Sequence, residues 1–186
     1  MPRLRKPKRV NFKLVPPRDG NHVPEPYKLM AEVRIKYHSD LNEAKIAIAW
    51  RIATKADKDG HLVLGKCVKA SELQREFAEY DFVIVLNKEV WDNPDFDTEK
   101  KMALLDHELC HAAPQLDKYF DTMRDERGRQ IFRTRKHDIE EFRSVVAHFG
   151  CYKRDLESFA ETLLKSSAPL FEQQQKRNGK AKAVTQ

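Results

Sequence analysis

The chain has 186 residues, 40% of them hydrophobic and 34% charged, enough for one domain with a proper core. Its formal charge of +6 is a property of its ends: residues 1–10 hold Arg3, Arg5, Lys6, Lys8 and Arg9, residues 176–186 hold Lys176, Arg177, Lys180 and Lys182, neither stretch contains an acid, and the remainder is acidic. Three cysteines argue against a disulfide framework, no apolar run follows the first charges as a signal peptide requires, and no window is apolar for long enough to span a bilayer.

Residues 1–23 read as a basic, Pro-containing flexible leader that ends at Pro24 and Pro26. Residues 27–37 can run as a helix with Met30, Val33 and Tyr37 inward. Residues 44–52 alternate as a strand with Ile46, Ile48 and Trp50 on one face, residues 55–60 make a charged turn, and residues 61–68 return as a second strand, so the two are expected to form a hairpin. Ser71 caps a short helix reaching Tyr80, and the unbroken apolar run of residues 82–86 reads as a buried strand. Asp97 can cap a helix over residues 98–113, which has no Gly or Pro and repeats Met102, Leu105 and Leu109 at spacings of three and four. Residues 124–136 form a Gly-containing hairpin. From residue 137 a further amphipathic helix places Ile139, Phe142, Val145, Val146 and Phe149 on one face, with Gly150 as its stop. Leu156, Phe159, Leu163 and Leu164 mark a last helix, packed on the core up to Pro169. Residues 24–168 are expected to form a single α+β domain, and residues 169–186 a basic flexible tail.

The chemistry is concentrated in His107-Glu108-Leu109-Cys110-His111, an HExxH sequence. Residues four apart share one face of a helix, so His107 and His111 can hold one metal ion from the same side. Glu108 can then take a proton from metal-bound water as general base. A catalytic zinc ion usually takes three protein ligands and keeps a fourth position for water. Either His137 or Glu141 can complete the set: His137 gives a three-histidine site, Glu141 a two-histidine, one-carboxylate site, and imidazole is the commoner ligand. Asp106 and Asp138 can orient a ligand from behind. One of Glu140 and Glu141 is expected simply to complement the dipole of a helix first turn. Cys110 reads as a small core residue, and Cys67 and Cys151 lack partners at zinc-finger spacing.

Residues 104–111 with HExxH, the polar hairpin, then His137-Asp138-Ile139-Glu140-Glu141-Phe142 and Gly150 resemble the phage and prophage metallopeptidases. The upstream Leu64-Gly65-Lys66, the run 81–85 and Trp91 fit the same group, so the resemblance covers residues 27–152. More distantly the chain is similar to the SprT-like (Spartan-like) zinc proteases. The gap from His111 to His137 is longer than that pattern, and Phe142 falls one residue late, which keeps Glu141 open as a ligand. The resemblance implies a zincin-like fold, a small mostly antiparallel sheet packed against the HExxH helix with further helices after it. It also implies Zn2+ as cofactor, His107, His111 and His137 as ligands, Glu108 as base, and a protein or peptide substrate. A cytoplasmic location, in a bacterium or a phage-infected host cell, is expected.

The segment 124–136 carries Arg124, Arg127, Arg129, Arg133, Arg135 and Lys136 against Asp125 and Glu126. It can contact a phosphate backbone or an acidic peptide, with Phe132 stacking, or simply pair with local acids; the basic tails offer weak, salt-sensitive attraction to nucleic acid. Two other readings follow from these features: a nucleic-acid-associated protein with a structural zinc, or a catalytically inactive interaction protein of the same fold. His148 and Tyr152 are the nearest candidates in the chain for an oxyanion donor.

Overall fold

In the computed structural model, which describes residues 11–140 and 143–165, the two most apolar strands take the middle of the sheet. Strand β1 (Phe12–Val15), β2 (Ile46–Arg51), β3 (Gly65–Lys69) and β4 (Phe82–Asn87) lie in the order β1-β2-β4-β3. The β2–β4 pair is parallel, with Ile48 opposite Ile84, and the two outer pairs are antiparallel. The predicted small α+β sheet is therefore present, in mixed form.

The expected hairpin between residues 44–52 and 61–68 does not form, because β4 lies between β2 and β3. The physical reason is burial. Ile46, Ala47, Ile48 and Ala49 are all buried, as are Phe82, Ile84 and Leu86, and such strands are covered on both faces only at the centre of a sheet. Strand β3, with Lys66 and Lys69, tolerates the edge.

Helix α1 (Glu25–Tyr37) has Pro in its first turn, where a missing N–H costs nothing, and buries Leu29, Met30 and Val33. Tyr37 is 58% exposed rather than inward. The Tyr27 hydroxyl donates to Val15 O at 3.1 Å and accepts from Ile48 N–H at 3.0 Å, tying the helix to the end of β1 and the middle of β2. A one-turn 3-10 helix (Ser39–Leu41) follows. Helix α2 (Glu72–Ala78) begins with the expected Ser71 cap, completed by Gln74 into a capping box. After the single turn α3 (Lys88–Trp91) comes α4 (Thr98–Cys110), whose first turn is capped by Asp97 accepting from Lys100 N–H at 3.0 Å. Leu105 and Leu109 of α4 are fully buried in one cluster with Val33, Ile48, Ile84 and Leu86. That burial, roughly 2 kcal/mol for each leucine, holds the helix in place.

Two short strands, β5 (Ala112–Pro114) and β6 (Phe132–Thr134), pair antiparallel and enclose residues 115–131. Phe132 is 2% exposed and meets Phe82 edge to face at 5.7 Å, so it is a core residue and not a stacking platform.

The chain divides into two units, Met1–Lys136 and His137–Gln186. In the second, α5 (Arg143–Phe149) and α6 (Arg154–Lys165) are helical, and Gly150 with φ +68° ends α5 as expected. The helix expected from residue 137 is not seen there: residues 137–140 are irregular. Phe149, Phe159, Leu163 and Leu164 are exposed, and Leu156 is the buried residue of α6. No helix of the described residues is long and apolar enough to cross a membrane.

Candidate metal centre

Helix α4 puts the HExxH residues on three different settings within one turn. His107 is exposed, Glu108 is 3% exposed, and His111 is the C-cap residue with helical backbone angles, so the spacing of four still brings its ring beside that of His107. The two imidazole centroids are 5.1 Å apart at an interplanar angle of 81°.

Glu108 is packed between its helix and the edge strand β3. Burial pushes its carboxyl above the ordinary glutamate range, while the His111 imidazole and the Cys67 backbone N–H, which donates to the carboxylate, pull it down. Its Oε2 is buried and, among the described residues, has no hydrogen-bond partner. An orphaned buried acceptor costs about 1–3 kcal/mol. The neighbouring Cys67 thiol is pushed up to about 12 by burial and then by the Glu108 charge, so it stays a protonated thiol. The close approach depends on Gly65. A Cβ there would stand 2.5 Å from Glu108 Oε1 and 3.0 Å from its Cδ and Cγ. Gly65 lies within the resembling segment, and its contact partner is 43 positions away in the chain.

His111 is oriented from behind by the backbone of Arg135. Its Nδ1 lies 2.8 Å from Arg135 O, and since a carbonyl oxygen only accepts, Nδ1 carries a proton and donates it. Arg135 N–H donates in return to His111 O at 2.8 Å, and Arg135 Nε donates to Cys110 O at 3.0 Å. One residue thus satisfies two carbonyls at the end of α4.

Asp106 is bound to the buried His38, Nε2 to Oδ1 at 2.6 Å. His38, Asp106 and Cys110 place one donor atom each within 4.8 Å of one another. His38 was not singled out by the sequence, because its partners are more than sixty residues away. His137 is exposed and opens the second unit, where Asp138, Glu140, His148 and Tyr152 are also exposed; Glu141 lies outside the described residues.

In the arginine-rich hairpin, Arg124 pairs with Glu43 at 2.6 Å, Arg127 with Glu76 at 2.6 Å, and Arg129 with Glu76 at 2.8 Å and Asp125 at 2.7 Å. Asp125 Oδ1 also accepts from the N–H groups of Arg127 and Arg129, shaping the turn around Gly128. These arginines are held by acids of the same unit.

A buried glutamate beside two histidines one helical turn apart, on a helix backed by a small sheet, is the arrangement of an HExxH metal centre. The chain belongs to the family described as "Putative phage metallopeptidase", which matches residues 21–165. Membership implies a bound metal ion. Comparison with curated proteins and with solved structures gives no match.

Proposed function

We propose that this chain is a zinc-dependent peptidase in which Glu108 is the general base. The observation that carries the reading is the unpartnered, buried Oε2 of Glu108 on the helix that sets His107 and His111 side by side. The donor set fits zinc: two imidazoles are already disposed for one ion, and the Arg135 carbonyl fixes the protonation of His111 as a ligand needs. His137 is the third ligand of the proposal. It follows Arg135 by two residues, which at full extension span about 7 Å, and Arg135 is itself bonded to His111 in both directions. Glu141 is the alternative donor.

Zinc held there would supply acidity to water and polarise a scissile carbonyl. Glu108 does the proton work. Its raised affinity for a proton suits a group that must accept one from water and deliver it to the departing amine of a peptide. The shield of Gly65 and Cys67 on one side keeps the carboxylate out of bulk solvent, which strengthens its interactions with charge developing in the site.

The test compares zinc content and casein hydrolysis of the wild type and Glu108→Gln. Zinc in both proteins, with hydrolysis lowered roughly 10²- to 10⁴-fold in the variant, is expected. Absence of zinc from both overturns the reading. Zinc retained per chain after a chelator challenge, measured for His137→Ala beside Glu141→Ala, assigns the third ligand.

A further inference from the structure

We infer that His38, Asp106 and Cys110 form a second site for a divalent transition metal, distinct from the ion on His107 and His111. The two sites use the same helix differently. Residues 106 and 110 repeat the spacing of four that residues 107 and 111 show, but one position earlier, which turns their side chains by about 100° round the helix axis. That turn aims the second pair at the end of α1, where His38 completes it. One donor atom from each of the three residues lies within 4.8 Å of the other two, and the imidazole and carboxylate already meet at 2.6 Å. A shift within the reach of side-chain rotation converges them on the bond lengths of zinc, ~2.0–2.3 Å.

The chemistry of the set is borderline: nitrogen, oxygen and sulfur donors together select zinc or cobalt over magnesium and calcium, which prefer all-oxygen shells. A bound dication would be neutralised by the Asp106 carboxylate and a Cys110 thiolate, the thiol proton leaving to solvent. The surroundings suit a site more than an accidental meeting. The His38 backbone is held on both sides, its N–H by Arg34 O at 2.9 Å and its O by Leu41 N–H at 3.1 Å. The Cys110 carbonyl is held by Arg135. The His38 side chain is 9% exposed while that of Asp106 is 41% exposed, giving an enclosed floor and an open entry.

The full-length chain, stripped with a chelator and titrated with Co2+, tests this. Two equivalents bound, with a near-ultraviolet thiolate-to-cobalt charge-transfer band, are expected for the wild type. Cys110→Ser should lose the band and one of the two equivalents, and His107→Ala/His111→Ala should keep the band and one equivalent. A single equivalent without the band in the wild type overturns the proposal. So does a band that survives in Cys110→Ser, or one that disappears with His107 and His111, since Cys110 would then belong to the first site. Circular dichroism of each variant identifies a folding failure, and the wild-type titration decides the matter even then.

Discussion

Gly65 and Glu108 touch across the gap between the edge strand β3 and the HExxH helix α4, so closely that a single added carbon at Gly65 would overlap the glutamate carboxylate. Glycine is needed there for space alone, since its backbone is not in the left-handed region. Gly65→Ala should therefore displace the Glu108 carboxylate, destabilising the fold by about 1–3 kcal/mol through overpacking and lowering hydrolysis by on the order of 10²-fold. Thermal unfolding and a casein assay at matched zinc content check both effects. Unchanged hydrolysis would separate the glutamate from this contact.

Glu108 itself should be costly to the fold. A buried carboxylate with one orphaned oxygen is replaced, in Glu108→Gln, by a neutral group of the same shape. The metal-free variant is expected to be more stable than the metal-free wild type by about 1 kcal/mol at neutral pH, the opposite sign to its effect on activity. Urea denaturation of the two apoproteins measures the difference, and a less stable variant would show that Oε2 also has a partner in the fold.

Arg75 links α2 to the sheet and to the hairpin. Its Nε stands 2.6 Å from Asp81 Oδ1, and its Nη2 donates to Gln130 O at 2.8 Å. The Asp81 side chain is 5% exposed, so removing its cation leaves a buried charge with the Lys45 N–H as its remaining support. Arg75→Met is expected to destabilise the protein by roughly 3 kcal/mol, and adding Asp81→Asn to recover part of that loss. Chemical denaturation of the single and double variants reads the coupling.

The hairpin clasp should respond to acid. Hydrogen bonds from Arg124 hold Glu43, and those from Arg129 and Arg127 hold Glu76, below the ordinary glutamate value of 4.5. Depressed values mean that, as pH falls, the unfolded chain takes up protons before the folded one, so the stabilisation is complete above 4.5 and is lost as pH falls through the folded values. Hydrogen exchange at the Asp125 and Ile131 amides, which donate to Arg129 O and Met123 O, should accelerate over that acid range in the wild type, after correction for intrinsic rates. In Glu76→Gln/Glu43→Gln the corrected protection should be lower and flat with pH.

Much of this molecule could be read from short stretches of chain. The Asp97 and Ser71 caps, the Met102, Leu105 and Leu109 spacing, the apolar run of β4 and the glycine stop at Gly150 each depend on atoms a few residues apart, where propensity and hydrogen bonding act locally. The same locality made His107, Glu108 and His111 legible as a unit, because helical periodicity alone sets their spacing. Tertiary structure decided what those units meet. Strand order followed from which strands most needed burial on both faces, and it left β3 at the sheet edge, where it meets α4. Phe132 went to the core against Phe82, Arg124, Arg127 and Arg129 found acids, Arg135 came to hold His111, and His38 reached Asp106. Each of these pairs joins residues at least twenty-four positions apart. A contact of that kind is fixed by the closure of the whole core, and no local pattern in the sequence encodes its partner.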